Sequence, residues 1–409
     1  MIEALAMKAR SDTRVNTDEQ QRGARAVSRA RSHFVVLRDP RSRRGKRHAM
    51  VDVVLIALLA MLCGSDDADD IAQWAELHED WLCEWFGLEH GTPSQDTVLR
   101  VFEMLHPKSF HAAVLSWLAS LRPSAPGHVA IDGKTLRGSI DAARGNAGVH
   151  VVSAWLREAG LVLGQVKTAD KSNEITAIPR LLELIDVAGC TVTIDAQGCQ
   201  HDIAEQIVGL GAHYVLSVKD NQPTLKQELE RLFSIGLSKR KRGAEDLAAP
   251  RVSQAKHTDA GHGRIEKRMA YFSTSVEWVD SAPSWAGMTG VAMVESQRTH
   301  ERTGKQETER RYFITSDATL DAARVLEQVR GHWSVENQLH WVLDVVFGED
   351  ASRIRARRAA ENFGLLRRLT LSMLRATPPP KRKRISTKAQ RRICDHRPAY
   401  LMQVLGASA

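Results

Sequence analysis

Three carboxylates in this sequence stand where phosphodiester chemistry could use them. Asp132 ends the apolar run Val129-Ala-Ile, in Ile131-Asp-Gly-Lys134, and Asp195 ends Thr191-Val-Thr-Ile, in Ile194-Asp-Ala-Gln-Gly198. Both read as acids at the carboxyl ends of short strands, the side of an open α/β sheet on which ligands collect. Glu336 shares a helical stripe with Leu326, Val329, Trp333, His340 and Leu343, and a carboxylate on a largely apolar face needs a partner. Three such acids in one pocket repel one another, and a hard divalent cation relieves the repulsion. All-oxygen donors suit Mg²⁺ or Mn²⁺. Two ions roughly 3.5–4 Å apart can activate an attacking oxygen and stabilise a leaving 3′-oxygen in an in-line displacement.

Each acid also has a plainer reading. A strand-terminal Asp is commonly a turn residue, and Glu336 could pair with an arginine. Glu327, Asp344, Glu349 and Asp350 are rivals for its place. His332, Glu336 and His340 fall at i, i+4 and i+8, but without the H-E-x-x-H pattern a zinc site is disfavoured. What favours the ion pocket is the arrangement of all three acids, on a first strand, a fourth strand and a late helix.

The surrounding pattern supplies elements to carry them. Residues 1–33 are polar and read as a flexible basic arm. A basic loop, Arg38 to His48, precedes a helical pattern from Met50 to about Leu121, the two making up a domain over 34–122. There Trp74, Leu77, Trp81 and Trp85 recur at i, i+3, i+7 and i+11. This reads as an all-helical N-terminal domain, either binding a DNA end or serving as a structural or dimerisation unit. Arg122-Pro-Ser-Ala-Pro-Gly127 is a linker. After it the order is three strands, helix, strand, helix, strand, which predicts an α/β mixed sheet with an antiparallel meander at one side. Alternation stops over about 223–315, a β-rich insertion. A long helix is expected from Leu320 to Phe347, with Trp333 and Trp341 in core or groove packing, and another from Ala359 to Leu374. The domain carrying the acids thus spans 128–375, and 376–409 reads as a mobile basic tail.

Bulk composition agrees with a soluble globular protein that meets a polyanionic partner. There are 57 Lys+Arg against 49 Asp+Glu, for a net charge of +8 and a pI near 9.3, and such a balance favours polyanionic partners. The five cysteines are scattered and odd in number, which argues against a disulfide framework and for a reducing compartment. The apolar run from Met50 to Cys63 falls short of the ~20 residues a bilayer requires. No secretory signal or membrane partner is expected, and the chain reads as cytoplasmic.

Several longer motifs, in order, resemble the DDE-type insertion-sequence transposases, in particular the H-repeat-associated group. They are Asp39-Pro-Arg-Ser-Arg-Arg-Gly-Lys-Arg-His48, Ala130-Ile-Asp-Gly-Lys-Thr-Leu-Arg-Gly-Ser139, Lys171-Ser-Asn-Glu-Ile175, Ile194-Asp-Ala-Gln-Gly198, Lys219-Asp-Asn-Gln-Pro223, His262-Gly-Arg-Ile-Glu266, Arg330-Gly-His-Trp-Ser-Val-Glu-Asn337 and Leu339-His-Trp-Val-Leu-Asp344. The resemblance runs from about Phe34 to Arg375. It implies an RNase H-like fold with Asp132, Asp195 and Glu336 as the catalytic, metal-holding triad. It also implies hydrolysis at an element end, then strand transfer of the 3′-OH into target DNA. The implied partners are double-stranded DNA, as terminal inverted repeats and target, and a second copy of the chain in a synaptic homodimer. The bacterial nucleoid is the implied place of action.

The wider group carries Y-x2-R-x3-E-x6-K around its Glu, where this sequence has Val329, His332 and Leu343. Arg330, His332 and His340 are the candidates to take over phosphate contacts there, with Lys134, Arg137, Lys219 and Arg264 as further DNA-binding positions. Two other readings keep the same residues: a catalytically silent DNA-binding derivative, and a stand-alone metal-dependent nuclease.

Overall fold

The apolar run Met50–Cys63 forms the central helix (α2) of a bundle and is buried along nearly its whole length. The structure, a computed structural model, describes residues 21–42, 46–123, 125–140, 148–168, 174–241, 249–261, 264–300, 302–379 and 385–406. Most of the expected arm and parts of the basic loop, of Lys171-Ser-Asn-Glu-Ile175 and of the tail's Lys381–Arg384 therefore lie outside the described residues. Residues 21–33 are not a flexible arm but a helix (α1), with Ala26, Val27 and Ala30 buried. Arg31 ties it down by donating to Asp52 Oδ1 and to the Phe86 carbonyl.

Around α2 stand α3 (Ala68–Leu77), α4 (Glu79–Phe86), α5 (Gln95–Met104) and α6 (Pro107–Leu121). The expected tryptophan stripe is broken at His78, and Leu77 is exposed. The acidic run Asp66–Asp70 is taken up within the protein, Asp66 pairing with Arg391 far along the chain. Asp67 caps α3 by accepting from the Asp69 and Asp70 amides, where the orphan N–H groups of a helix start need an acceptor.

Five strands come next: β1 (His128–Leu136), β2 (Val149–Leu156), β3 (Leu161–Lys167), β4 (Thr191–Ile194) and β5 (His213–Val218), with α7 (Ala177–Leu182) before β4 and α8 (His201–Gly209) before β5. Strands β1, β2 and β3 form the expected antiparallel meander, and β1, β4 and β5 run parallel, giving the order β3-β2-β1-β4-β5. The β-rich stretch opens with α9 (Pro223–Lys241) and continues the same sheet rather than forming a separate unit. Strands β6 (Ser253–Gly261), β7 (Arg264–Ser273), β8 (Gly290–His300) and β9 (Gln306–Thr315) add to it in the order β9-β8-β7-β6, with β9 antiparallel to β5. That pairing covers a sheet edge that would otherwise present unpaired backbone groups.

The expected single helix from Leu320 to Phe347 is three pieces. Helix α10 (Ala322–His332) is capped by Asp321. A π-helical turn covers Val335–His340, and α11 (Trp341–Val345) comes after it. A π-turn inserts residues relative to α-helical spacing and so rotates the next helical segment about the axis. Val335, Leu339 and His340 consequently take the buried side, whereas Glu336 is exposed rather than set on an apolar face. Trp333 and Trp341 are also exposed, at 46% and 56%, and are not core. Gly331 lets α10 lie against the sheet, since a Cβ there would fall 2.5 Å from the His128 ring.

Three helices complete the chain: α12 (Arg357–Ala376), α13 (Thr387–His396) and α14 (Pro398–Leu405). The tail is therefore not mobile over its described residues. Cys394, Tyr400, Leu401 and Val404 are buried in the same core as α2, α5 and α6. Arg391, expected as a solvated charge, is buried, donating to the Met61 and Val346 carbonyls and to Asp66. The N-terminal helices thus share one hydrophobic core with the C-terminal ones. No described helix is long and apolar enough to cross a membrane, and all five cysteines are free.

Candidate active site

Asp132 does not end its strand. Strand β1 runs on to Leu136 against β2, but its parallel pairing with β4 stops at Ile131 opposite Ile194. Asp132 and Asp195 are the next residue on each strand, so they leave the paired segment side by side. Asp195 then opens a short turn, its Oδ1 accepting from the Gln197 amide at 3.0 Å. The Lys219-Asp-Asn-Gln222 loop clamps that turn. Asn221 Nδ2 donates to the Ala196 carbonyl at 2.7 Å, and Gln222 Nε2 to the Cys199 carbonyl at 3.0 Å.

Asp132, Asp195 and Glu336 all line one cavity of about 200 Å³, with Lys219, Arg311, His332 and Trp333 also in its wall. Burial pushes the Asp132 carboxyl up to about 6, and the Glu174, Asp195 and Glu336 carboxylates add to the rise. Asp195 is raised as well, by burial and then by Glu174, against the Gly198 and Gln197 amides and Lys219. The donor set fits a hard divalent cation: carboxylate oxygens, mutually repelling, within a partly buried cavity. Among the described residues, no three His, Cys, Asp or Glu side chains already stand close enough to enclose an ion.

Glu174 and Arg311 are functional candidates that sequence reasoning misses. Glu174 lies over Gly133, the neighbour of Asp132. A Cβ on Gly133 would fall 1.9 Å from Glu174 Oε1, so the carboxylate in this position lies directly over the glycine. His150 holds it, Nε2 to Oε1 at 3.0 Å, and Thr135 Oγ1 lies 2.8 Å from His150 Nδ1. The signal in the sequence is its place in the Lys-Ser-Asn-Glu motif, whose acid has no other assigned task. Arg311, in sequence, marks only the start of a strand-like piece. In the fold it faces the cavity from β9, forked onto Glu309, with its guanidinium 5.4 Å from the Trp333 ring centre.

Of the expected DNA-binding positions, Lys219 is exposed at the cavity and Arg137 is exposed beside Asp350. The others are placed differently. The Lys134 side chain is buried, bonded to Asp344 and to Glu349 at 3.1 Å. Arg330 is committed to β6, at 2.8 Å from His257 Nε2 and 2.9 Å from Asp259 Oδ2. Burial lowers His332 to about 4 and His340 to about 3, so both rings are neutral and offer phosphate no positive charge. His332 Nδ1 instead lies 3.0 Å from Thr193 Oγ1, which also meets His128 Nε2 at 2.7 Å. His340 Nδ1 faces Asp132 Oδ2 at 3.5 Å. Arg264 opens β7 opposite His300, but its side chain lies outside the described residues. Val329 and Leu343, at the wider group's Tyr and Lys positions, are buried.

Two family profiles match the chain: "DDE_Tnp_1-associated" over residues 31–118 and "Transposase DDE domain" over residues 123–373. The chain is 36% identical over 346 residues to "H repeat-associated putative transposase YhhI" of Escherichia coli (strain K12), covering 84% of this chain and 89% of that one. It is 38% identical over 286 residues to "Uncharacterized protein in dhlA 3'region" of Xanthobacter autotrophicus, covering 69% of this chain and 92% of the relative. Among solved structures it is similar to a piggyBac transposase synaptic complex with hairpin DNA. That likeness has a TM-score of 0.37 and 11% identity over 87% of this chain and 73% of the other, too slight to establish a shared topology.

Proposed function

The chain belongs to the DDE transposase family, and from that premise we propose that it cuts phosphodiester bonds at the ends of a mobile DNA element and joins the freed 3′-OH to target DNA. One observation carries the reading: Asp132 and Asp195, adjacent across parallel strands, line a single cavity with Glu336. The meander followed by parallel β4 and β5 supports an RNase H-like core, widened by β6–β9.

In this reading Asp132, Asp195 and Glu336 hold Mg²⁺ or Mn²⁺, two ions in all. When bound, the ions supply activation of the attacking oxygen and stabilisation of the leaving one. The chain's own groups do the positioning. Lys219 and Arg311 present positive charge in the cavity wall, where a scissile phosphate would be drawn. The loop clamp by Asn221 and Gln222 holds Asp195 still. The exposed indole of Trp333, at the same cavity, offers a flat face on which a base can stack. Arg137 and Arg264 remain candidate contacts to the flanking backbone. The substrates are double-stranded DNA, as terminal inverted repeats and target, and two copies of the chain would hold two ends. The bacterial cytoplasm, at the nucleoid, is where such DNA is found.

The test is incubation with Mg²⁺ and a duplex carrying the repeats that flank the gene. Joined products support transposition. Cuts without joining point to a nuclease, and binding alone to a silent derivative. Glu336→Gln should abolish cutting and leave DNA binding intact; a variant that cuts normally removes Glu336 from the site.

A further inference from the structure

A second cavity, of about 810 Å³, lies in the helical bundle and shares no lining residue with the acid cavity. Its walls come from α1, α4 and α14. Arg22, Arg25 and Arg29 recur at i, i+3 and i+7 on α1 and so share one face. Arg397 adds a fourth guanidinium from the start of α14, and Trp81 and Trp85 supply an aromatic wall, their ring centres 4.2 Å apart. Among the described lining residues, Glu84 is the one carboxylate.

The groove is built rather than incidental. Gly23 brings α1 flush against the aromatic wall, since a Cβ there would lie 2.6 Å from the Trp85 ring. Arginines on the same helix are treated differently by face. Arg31 is paired with Asp52 at 2.8 Å, whereas Arg25, Arg29 and Arg397 are exposed and have no ion pair among the described residues. Three guanidiniums without ion pairs (Arg25, Arg29 and Arg397) repel one another, and a polyanion relieves that at a gain from released counterions. Arginine is suited to forked contacts with phosphate oxygens, and an indole wall to the sugar and base faces beside them.

We propose that this groove takes a stretch of DNA backbone outside the cutting site, so that the bundle grips the duplex flanking the element end. The inference rests on the DNA-handling function proposed above and adds where part of the DNA sits. An acidic peptide is the competing occupant, and the aromatic wall favours nucleic acid over it.

The test uses the full chain, a fluorescein-labelled 30-bp random-sequence duplex and EDTA to prevent cutting, with anisotropy read across a salt series. Arg25→Glu/Arg29→Glu should weaken binding at least about tenfold at 0.1 M salt. Arg25→Gln/Arg29→Gln, which adds no negative charge, should lower the slope of log K against log salt by about 1.8, for two lost phosphate contacts. Circular dichroism and melting check that both variants fold; if the Glu pair does not, the Gln pair decides. Wild-type affinity and slope in a folded Gln pair overturn the groove assignment alone. Poly-glutamate bound by the wild type and lost in the variants, with DNA binding unchanged, also overturns it, in favour of an acidic peptide. A wild-type chain that binds no DNA brings down the proposed function as well.

Discussion

Two groups of acids lie close together in this molecule and are handled in opposite ways. In the cavity, Asp132 and Asp195 have raised carboxyls, and neighbouring acids deepen the rise. Two residues along β1, Lys134 turns into a partly buried network with Asp344, Asp350 and the enclosed Glu349. Burial there would raise Glu349 too, but Arg368, Lys134 and Arg367 overcome it and hold the carboxyl at about 2. Arg368 meets Glu349 at 2.7 Å with both side chains fully enclosed. The contrast sorts the rivals. Glu349 and its neighbours have protein cations and act as structure, while Glu327 pairs with Arg157 at 3.3 Å. The cavity acids keep raised carboxyls even though Lys219 and Arg311 stand in the same wall.

Breaking either group should read out differently. Asp132→Asn should cut strand cleavage by at least about 10³-fold, roughly 4 kcal/mol of barrier. Because its ionised form is disfavoured in the fold, the melting temperature should hold or rise, and a clear fall would mean that Asp132 is structural. Glu349→Gln should do the reverse, lowering stability in urea denaturation by about 3 kcal/mol, since it leaves Arg368 buried without a counter-charge. Glu174→Gln sharpens the boundary of the cavity group. If this carboxylate belongs with Asp132 and Asp195, Mn²⁺ affinity measured by electron paramagnetic resonance should fall about tenfold, the scale of an outer-sphere ligand.

The smallest effect is on pH. His128 is lowered by burial to about 3, so its contribution to stability is complete above the unfolded value near 6.5 and is lost as pH falls toward 3. Glu349, lowered from 4.5 to about 2, adds a second loss below about 4.5. Melting curves from pH 8 downward should stay level, then decline from about 6.5, and because His332 and His340 lose stability over the same range, His128→Gln should make the decline shallower without abolishing it.

The cavity acids are legible in the sequence because strand ends, apolar periods and residue order are written in short range. Ile131-Asp and Ile194-Asp announce their own position, and the motif series points to one family. Other features of the site are not local. Glu174 becomes visible only once Gly133, forty-one positions earlier, is seen to leave room for it. Lys134 and Arg330 are paired and His332 and His340 enclosed for one reason: charge in a sequence says nothing about which carboxylate or wall a side chain will meet. Burial neutralises the two histidines, and pairing consumes the two cations.

By itself, the sequence determined the alternation of the five central strands, the place of Asp195 just past the end of β4, and the family. Those depend on side-chain period and local backbone preference, which act over a few residues. Tertiary structure alone decided that β6–β9 extend the same sheet, that a π-turn carries Glu336 to the cavity, and that α12–α14 close the N-terminal bundle. Each of these depends on a partner far along the chain, and apolar burial and edge pairing reward contact without regard to distance in sequence.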